Sequence, residues 1–106
     1  MIFIESSVFT KLMTNYLSDS QYSEFQKYLL KNPDIGDLIR GSGGLRKVRW
    51  TSGNKGKRGG VRIIYFWKIA EDQIYLLTIY AKNEITDISP NDKRILKQMI
   101  DRWHDG

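Results

Sequence analysis

Lysine and arginine side chains are concentrated in the middle of this chain of 106 residues. No aspartate or glutamate lies between Asp37 and Glu71. The rest of the chain carries eight basic and twelve acidic residues, although the whole chain has a net charge of +5. Guanidinium and ammonium groups bind phosphate oxygens, and charge sorted in this way indicates a surface for a polyanion. The acid-free stretch holds nine of the 17 basic residues: Arg40, Arg46, Lys47, Arg49, Lys55, Lys57, Arg58, Arg62 and Lys68.

The side chains that most often act as nucleophiles or proton carriers are scarce. Cysteine is absent, which excludes thiol catalysis, disulfides and zinc sites that need thiolate. The only histidine, His104, lies close to the end of the chain, and we expect it to be solvated rather than catalytic. Lysine, arginine and tyrosine remain, and a lysine among other cations holds its proton less tightly and can act as a base. We therefore predict a site without metal or cofactor.

Three helices are expected to support this basic segment. Ser7 can cap the first, the segment of residues 18–20 offers a cap for the second, and Asn32-Pro33 ends the second. Ser89 precedes Pro90 and an acidic residue, which is typical of the start of a third helix. The first helix has one apolar stripe, formed by Phe9, Leu12, Met13, Tyr16 and Leu17.

Extended segments alternate with these helices. Residues 2–4 predict a short strand, and residues 45–51, 61–69 and 74–81 predict three antiparallel strands rich in β-branched and aromatic residues. The resulting order is strand, helix, helix, three-stranded antiparallel meander and C-terminal helix. We predict an α+β fold in a single domain of residues 1–106, with the helices packed on one face of the sheet.

Side chains alternate between the two faces of a strand, and this period predicts where the basic residues meet. A plausible register brings five residues to one concavity beneath the loop of residues 52–60: Lys47, Arg49, Arg62, Tyr80 and Lys82. Five aromatic residues on the strands are more typical of core than of base stacking, namely Trp50, Tyr65, Phe66, Trp67 and Tyr75. Trp103 is expected to seal the last helix.

No segment of the chain has enough consecutive apolar residues to span a bilayer, and the first residues lack the basic region of a signal peptide. Together with the absence of cysteine, this predicts a cytoplasmic protein without a membrane partner.

Three segments together resemble the HigB branch of RelE-like toxins: residues 44–49, residues 55–65 and residues 76–84. The signatures KGKRGGxR, from Lys55 to Arg62, and YxKNE, from Tyr80 to Glu84, carry the resemblance. It covers essentially the whole chain, and the order of elements is also that of the family. The resemblance implies an endoribonuclease that cleaves messenger RNA in the ribosomal A site, inhibits translation and is bound by a HigA-like antitoxin.

Metal-free RNA cleavage proceeds by attack of the 2′-hydroxyl on the adjacent phosphate. It needs a proton acceptor, cations around the phosphate and a proton donor for the 5′ oxygen. We assign Arg62 to the phosphate, because a guanidinium binds two phosphate oxygens at once. Tyr80 and Lys82 are candidates for proton transfer or base stacking, and Lys57 joins them in the catalytic set. The residues expected to hold the RNA backbone are Lys47, Arg49, Lys55 and Arg58.

The sequence departs from the archetypal RelE branch after the last strand, where an arginine and a downstream tyrosine are replaced by residues 82–88. The general base and acid of the archetype therefore cannot be transferred. Glu84 can take part in proton transfer or form a surface ion pair with Lys82. Two other functions stay open: a non-catalytic RNA-binding module, and a gyrase-inhibiting toxin of the same superfamily.

Overall fold

The computed structural model describes residues 1–51, 60–81 and 88–105, without the side chains of residues 104 and 105. Its strands are β1 (Ile2–Glu5), β2 (Asp37–Leu38), β3 (Leu45–Trp50), β4 (Val61–Lys68) and β5 (Gln73–Ala81). Its helices are α1 (Ser7–Met13), α2 (Asp19–Lys31) and α3 (Pro90–Asp105). The predicted α+β class and the predicted order of elements are confirmed. In the described part of the chain, no helix has the length and apolar content needed to cross a bilayer.

The strands form one sheet in the order β1-β5-β4-β3-β2. β1 runs parallel to β5, and the other neighbours are antiparallel. The two-residue strand β2, which pairs with Arg46 and Lys47, was not predicted from the sequence. A strand this short has too few residues to show a period of two, and its pairing with β3 is what defines it.

Serine side chains cap the N-termini of the helices. The Ser18 hydroxyl accepts a hydrogen bond from the Gln21 N–H at 3.2 Å, and the Gln21 side chain accepts one from the Ser18 N–H at 2.8 Å. Ser89 and Asp92 exchange the same pair of bonds at the start of α3, at 3.1 and 3.2 Å. These capping boxes satisfy N–H groups that a helix leaves without intrahelical partners. A cap within residues 18–20 and the cap at Ser89 with Asp92 were predicted, whereas the bond to the Gln21 side chain was not.

The cap of α1 is Ser6 rather than the predicted Ser7. The Ser6 hydroxyl accepts from the Phe9 N–H at 2.9 Å and donates to the Leu77 carbonyl at 2.7 Å, while the Ser6 N–H donates to the Leu76 carbonyl at 2.9 Å. The register of β4 and β5 shifts between Ile64 and Tyr65, so that Ile64 pairs with Thr78 and Tyr65 with Leu76. Ser6 therefore binds both carbonyls at this bulge, which a cap one residue later would not do.

Helices cover both faces of the sheet, whereas the sequence had led us to expect them on one face. On the first face, α1 and α2 bury Phe9, Phe25 and Leu29 against apolar residues of the strands. On the second face, α3 buries Leu96 and Ile100 against Leu45, Ile64, Leu77 and Tyr80. The cause is visible in β4 and β5, where apolar side chains occupy successive positions rather than alternate ones. Such strands are stable only when both faces are covered.

One buried tyrosine forms hydrogen bonds with the loop between α2 and β2 and holds it in place. The Tyr65 side chain is 0% exposed, and its hydroxyl accepts from the Gly36 N–H at 2.9 Å and donates to the Pro33 carbonyl at 2.7 Å. A Cβ at Gly36 would lie 2.8 Å from the Tyr65 ring, which is closer than such contacts allow. Glycine is therefore required at position 36. Burial raises the pKa of Tyr65.

Candidate nucleic-acid interface

Basic residues from β3 and β4 stand side by side with a tyrosine of β5. Arg49 is the direct partner of Arg62, and Arg62 is the direct partner of Tyr80. Lys47, two residues before Arg49, pairs with Ile64. Since Ile64 and Tyr80 pack with α3, strand alternation places Lys47, Arg49 and Arg62 on that same face. We refer to Lys47, Arg49 and Arg62 as the basic row.

The basic row brings like charges together. Directly opposed side chains of antiparallel strands have Cβ atoms about 4.5–5.5 Å apart, and like charges at that spacing repel. Arg49 is exposed, while Lys47 and Arg62 are partly buried. Asp37, the partner of Lys47 on β2, contributes a carboxylate at one end of the row. An anion bound between Arg49 and Arg62 would replace their repulsion with charge-assisted hydrogen bonds, and the pair is therefore suited to phosphate.

Other basic residues of the acid-free stretch have structural roles. Arg46 donates to the backbone carbonyls of Asp34 and Gly36 at 3.0 and 2.8 Å. Lys68 lies at the far end of β4, and its ammonium is 2.7 Å from the Glu71 carboxylate. That carboxylate raises the pKa of Lys68. Neither side chain belongs to the basic row, and neither was among the residues that the predicted register brought to one concavity.

Tyr80 is only 5% exposed and packs in the core beneath α3. A base cannot stack on a ring that is covered in this way. Of the two roles predicted for Tyr80, this burial excludes base stacking, and proton transfer stays a prediction.

The remaining predicted residues lie outside the described part of the chain. Lys55, Lys57 and Arg58 fall in residues 52–59, Lys82 and Glu84 fall in residues 82–87, and the side chain of His104 is also not described. The described residues nevertheless show where both segments begin. Trp50 pairs with Val61, and Val61 pairs with Ala81, directly beside the paired residues Arg49, Arg62 and Tyr80. The segments with the other predicted basic residues thus start from the end of the sheet that carries the basic row.

The aromatic residues of the strands mostly form core, as predicted. Tyr65 and Tyr75 are buried, and Trp103 of α3 stacks on Tyr75 with ring centroids 4.2 Å apart. Trp103 thereby seals the last helix against the sheet. Trp50 lies on the opposite face and packs against Phe25, with ring centroids 5.5 Å apart. These rings hold the helices against the sheet, and the sheet carries the basic row.

A groove of about 310 Å³ lies next to the basic row, and the sequence did not reveal it. Its floor is β5 from Leu77 to Tyr80, and its two walls come from the α1 side and the α3 side of the sheet. It exists because α1 and α3 pack on opposite faces and leave a space at the edge of β5. The described residues contain no group of three or more His, Cys, Asp or Glu side chains that could hold a metal ion.

The fold is that of a class of small bacterial toxins. The isolated RelE toxin of E. coli is similar to this chain with a TM-score of 0.56, 13% sequence identity, and coverage of 92% of this chain and 97% of that one. The intact RelBE toxin–antitoxin complex of E. coli gives a TM-score of 0.55 at 15% identity, covering 76% of this chain and 94% of that one. A mutant of the E. coli RelE toxin in complex with a peptide of the antitoxin RelB gives a TM-score of 0.55 at 14% identity, with coverage of 80% and 88%.

At these identities the similarity establishes the fold. The family is established by sequence, because the family model described as the RelE toxin of the RelE/RelB toxin–antitoxin system matches residues 6–105. The chain therefore belongs to the RelE toxin family.

Proposed function

We propose that this toxin is a metal-independent endoribonuclease that cleaves messenger RNA in the ribosomal A site and thereby inhibits translation in the cytoplasm. The observation that carries the proposal is the cross-strand pair of Arg49 and Arg62, with Lys47 beside it, at the end of the sheet where residues 52–59 and 82–87 begin. Three cations on one rigid sheet face suit a phosphodiester, whose charge increases in the transition state. Placement in the HigB branch of the family stays a prediction.

In the proposed reaction the 2′-hydroxyl of the RNA attacks the adjacent phosphorus and the 5′ oxygen leaves. Arg62 stabilises the phosphate, because it lies on β4 between its cross-strand partners Arg49 and Tyr80. Lys47 and Arg49 hold the backbone together with Lys55 and Arg58. Lys57 and Lys82 are the proposed proton carriers, and Tyr80 is a further candidate for proton transfer.

The ribosome supplies the geometry that this site needs. Single-stranded RNA seldom holds its 2′-oxygen, phosphorus and 5′-oxygen in line, and well-oriented reactants lower a barrier by roughly 7 to 11 kcal/mol in favourable cases. A codon fixed in the A site is oriented in this way. Cleavage of ribosome-bound messenger is therefore expected to be much faster than cleavage of the same RNA in solution.

A time course with one labelled messenger, free or in initiated ribosomes at matched salt, tests the proposal. Equal rates in the two arms would show a free ribonuclease instead. No cleavage in either arm would favour a non-catalytic RNA-binding module, or a gyrase inhibitor that a supercoiling assay detects.

We further propose that a cognate antitoxin binds and neutralises the chain. The support is its membership of the RelE toxin family and its similarity in fold to the toxin of the RelBE complex. The partner proposed here is RelB-like, which corrects the HigA-like antitoxin expected from the sequence. Toxicity in cells is expected only when the antitoxin is absent, and equal tolerance with and without it would contradict the toxin function.

A further inference from the structure

A second group of basic residues surrounds the loop between β2 and β3. The Lys93 ammonium on α3 donates a hydrogen bond to the Arg40 carbonyl at 2.9 Å. Lys97 lies one turn further along α3, and its Cε is 3.4 Å from the position that a Cβ at Gly43 would occupy. Arg40 belongs to the loop itself and is exposed. We refer to Arg40, Lys93 and Lys97 as the loop cluster.

The cations of the loop cluster are not neutralised within the described part of the chain. The ion pairs found there join other residues, and none of the three cations takes part in one. Asp92, the acidic residue beside Lys93, is used at the start of α3, where its carboxylate accepts from the Ser89 N–H. Positive charges gathered at one loop repel one another, and a bound anion would replace that repulsion with charge-assisted hydrogen bonds.

The backbone of the same loop offers further donors. Gly41, Gly43 and Gly44 have φ values of 71°, 77° and 114°, and none of the described hydrogen bonds uses their N–H groups. Successive N–H groups in turns of this kind form concavities that bind anions. A Cβ at Gly41 would meet no atom within 4 Å, so a ligand can approach the backbone there. The buried Ser42 hydroxyl fixes the turn by two bonds to the backbone, at 2.6 and 3.0 Å.

The loop cluster and the basic row lie on the same face of the sheet, at opposite ends of β3. Leu45, the first residue of β3, packs with α3 on that face. Arg49 follows four residues later, and at about 3.3 Å per residue the two positions are roughly 13 Å apart. One phosphate cannot contact both groups, whereas a polyanion carries many phosphates. The loop cluster is therefore suited to a separate contact with a polyanion.

We infer that the loop cluster is a second binding site for RNA, and that it takes a backbone phosphate outside the nucleotide that is cleaved. The inference rests on the proposed function, because it takes RNA as the polyanion that this toxin engages. The phosphate belongs either to the messenger or to ribosomal RNA, which share the same backbone chemistry. Contacts with phosphates carry no sequence information, and this site therefore adds affinity and orientation without selecting a codon.

The test compares the unmodified toxin with Lys97→Ala and Arg40→Ala. Lys27→Ala is the matched control, because it removes one exposed lysine from α2, which packs on the other face of the sheet. Each protein is titrated at several salt concentrations against a labelled single-stranded RNA and against ribosomes programmed with the same RNA. All 2′-hydroxyls of this RNA are methylated, so that 2′-hydroxyl attack cannot cleave it. Circular dichroism verifies that each variant is folded.

Both variants of the loop cluster are expected to bind about three- to tenfold more weakly than the unmodified toxin, while Lys27→Ala binds as the unmodified toxin does. The slope of log affinity against log salt should become shallower by about 0.7 for one lost contact with a single strand. Weaker binding to both ligands would assign the phosphate to the messenger, and weaker binding to ribosomes alone would assign it to ribosomal RNA. Equal binding by Lys97→Ala, Arg40→Ala and Lys27→Ala to both ligands would overturn the inference.

Cleavage assays separate this inference from the proposed function. With an unmethylated messenger on ribosomes, Lys97→Ala is expected to raise KM several-fold with a smaller effect on kcat, because a contact outside the cleaved nucleotide holds substrate and transition state alike. A loss confined to kcat would overturn the inference. Binding that depends on the loop cluster, without cleavage by the unmodified toxin, would refute the nuclease and leave the second RNA site standing. Cleavage with the same KM in Lys97→Ala and Lys27→Ala would support the nuclease and overturn the second site.

Discussion

Arginine and lysine residues that look alike in the sequence have different roles according to what surrounds each one. Arg49 and Arg62 are direct cross-strand partners, and like charges at that spacing favour an anion between them. Arg46 donates to the carbonyls of Asp34 and Gly36 and holds a loop. The role of each charge therefore depends on its partners across the sheet and not on the local density of basic residues.

At Arg62 we expect Arg62→Ala to lower cleavage of ribosome-bound messenger by about a hundred- to a thousand-fold, the usual cost of removing one preorganised donor to a charged transition state. Circular dichroism should barely change, because Arg62 is not one of the buried residues of the core. Lys68→Ala is the matched control, since Lys68 lies on the same strand and pairs with Glu71. Equal cleavage by Arg62→Ala and Lys68→Ala would show that the basic row is not the site.

At Tyr65 we expect Tyr65→Phe to lower the free energy of unfolding by about 1–3 kcal/mol, because the Gly36 N–H and the Pro33 carbonyl lose their buried partner. Urea unfolding measures the change, and Tyr28→Phe on the exposed side of α2 should have little effect. Equal stabilities of the two variants would mean that the hydroxyl of Tyr65 does not hold the loop.

Among the elements, the junction of β1, α1 and β5 depends on one short side chain. Ser6 caps α1 and also binds the carbonyls of Leu76 and Leu77 at the bulge of β5. The same bulge brings Leu77 to the α3 face, where it packs with Ile64 and Tyr80. A single residue thus links the helix on one face of the sheet to the packing on the other face.

Ser6→Ala is expected to lower the free energy of unfolding by about 2 kcal/mol or more. Loss of a helix cap costs about 0.5–2 kcal/mol, and leaving the buried Leu77 carbonyl without its donor costs about 1–3 kcal/mol. Ser7→Ala, at the adjacent exposed position, should change stability by much less. If chemical denaturation shows a larger loss for Ser7→Ala than for Ser6→Ala, the cap has been placed at the wrong serine.

At the scale of the whole molecule, two different surfaces lie beside the helices that cover the sheet in the described part of the chain. One is the basic row at the end of β3 and β4, and the other is the apolar groove at the edge of β5. They meet at Tyr80, which belongs to both.

The stability of the whole molecule should decrease as the pH rises above about 10. Burial, together with the hydrogen bond to Glu5, raises the pKa of Tyr22 far above its ordinary value of 10.0, and burial also raises that of Tyr65. Below pH 10 both phenols are neutral in the folded and unfolded states, and their contribution is complete. Above it the unfolded chain loses these protons first, and stability falls by up to about 1.4 kcal/mol per pH unit for each phenol.

Urea unfolding of the unmodified protein and of Tyr22→Phe, each at pH 8 and about pH 10.5, measures this effect. Tyr22→Phe loses the 2.6 Å bond to Glu5 and is expected to be less stable at pH 8. Its stability should nevertheless fall less between the two pH values, and comparison within each protein removes the contribution of the lysines. The same fall in both proteins would contradict the raised pKa of Tyr22.

Local signals in the sequence determined the elements. Ser18 and Ser89 define helix starts because each is followed three residues later by a side chain that completes a capping box, and these contacts span only a few residues. The period of two along β3 and β4 was likewise sufficient to place Lys47, Arg49 and Arg62 on one face. The basic part of the candidate site was therefore predictable once a register was assumed.

Only the tertiary structure decided which surfaces meet. The placement of α3 opposite α1, the bulge at Leu77, the burial of Tyr80 and the groove all depend on contacts between residues far apart in the chain. Ser6 and Leu77, for example, are 71 positions apart, and their bond places the true cap of α1 one residue before the one expected from local pattern. A local pattern shows that a side chain is apolar or charged, but packing decides which neighbours cover it, because burial depends on the whole arrangement of helices and strands around it.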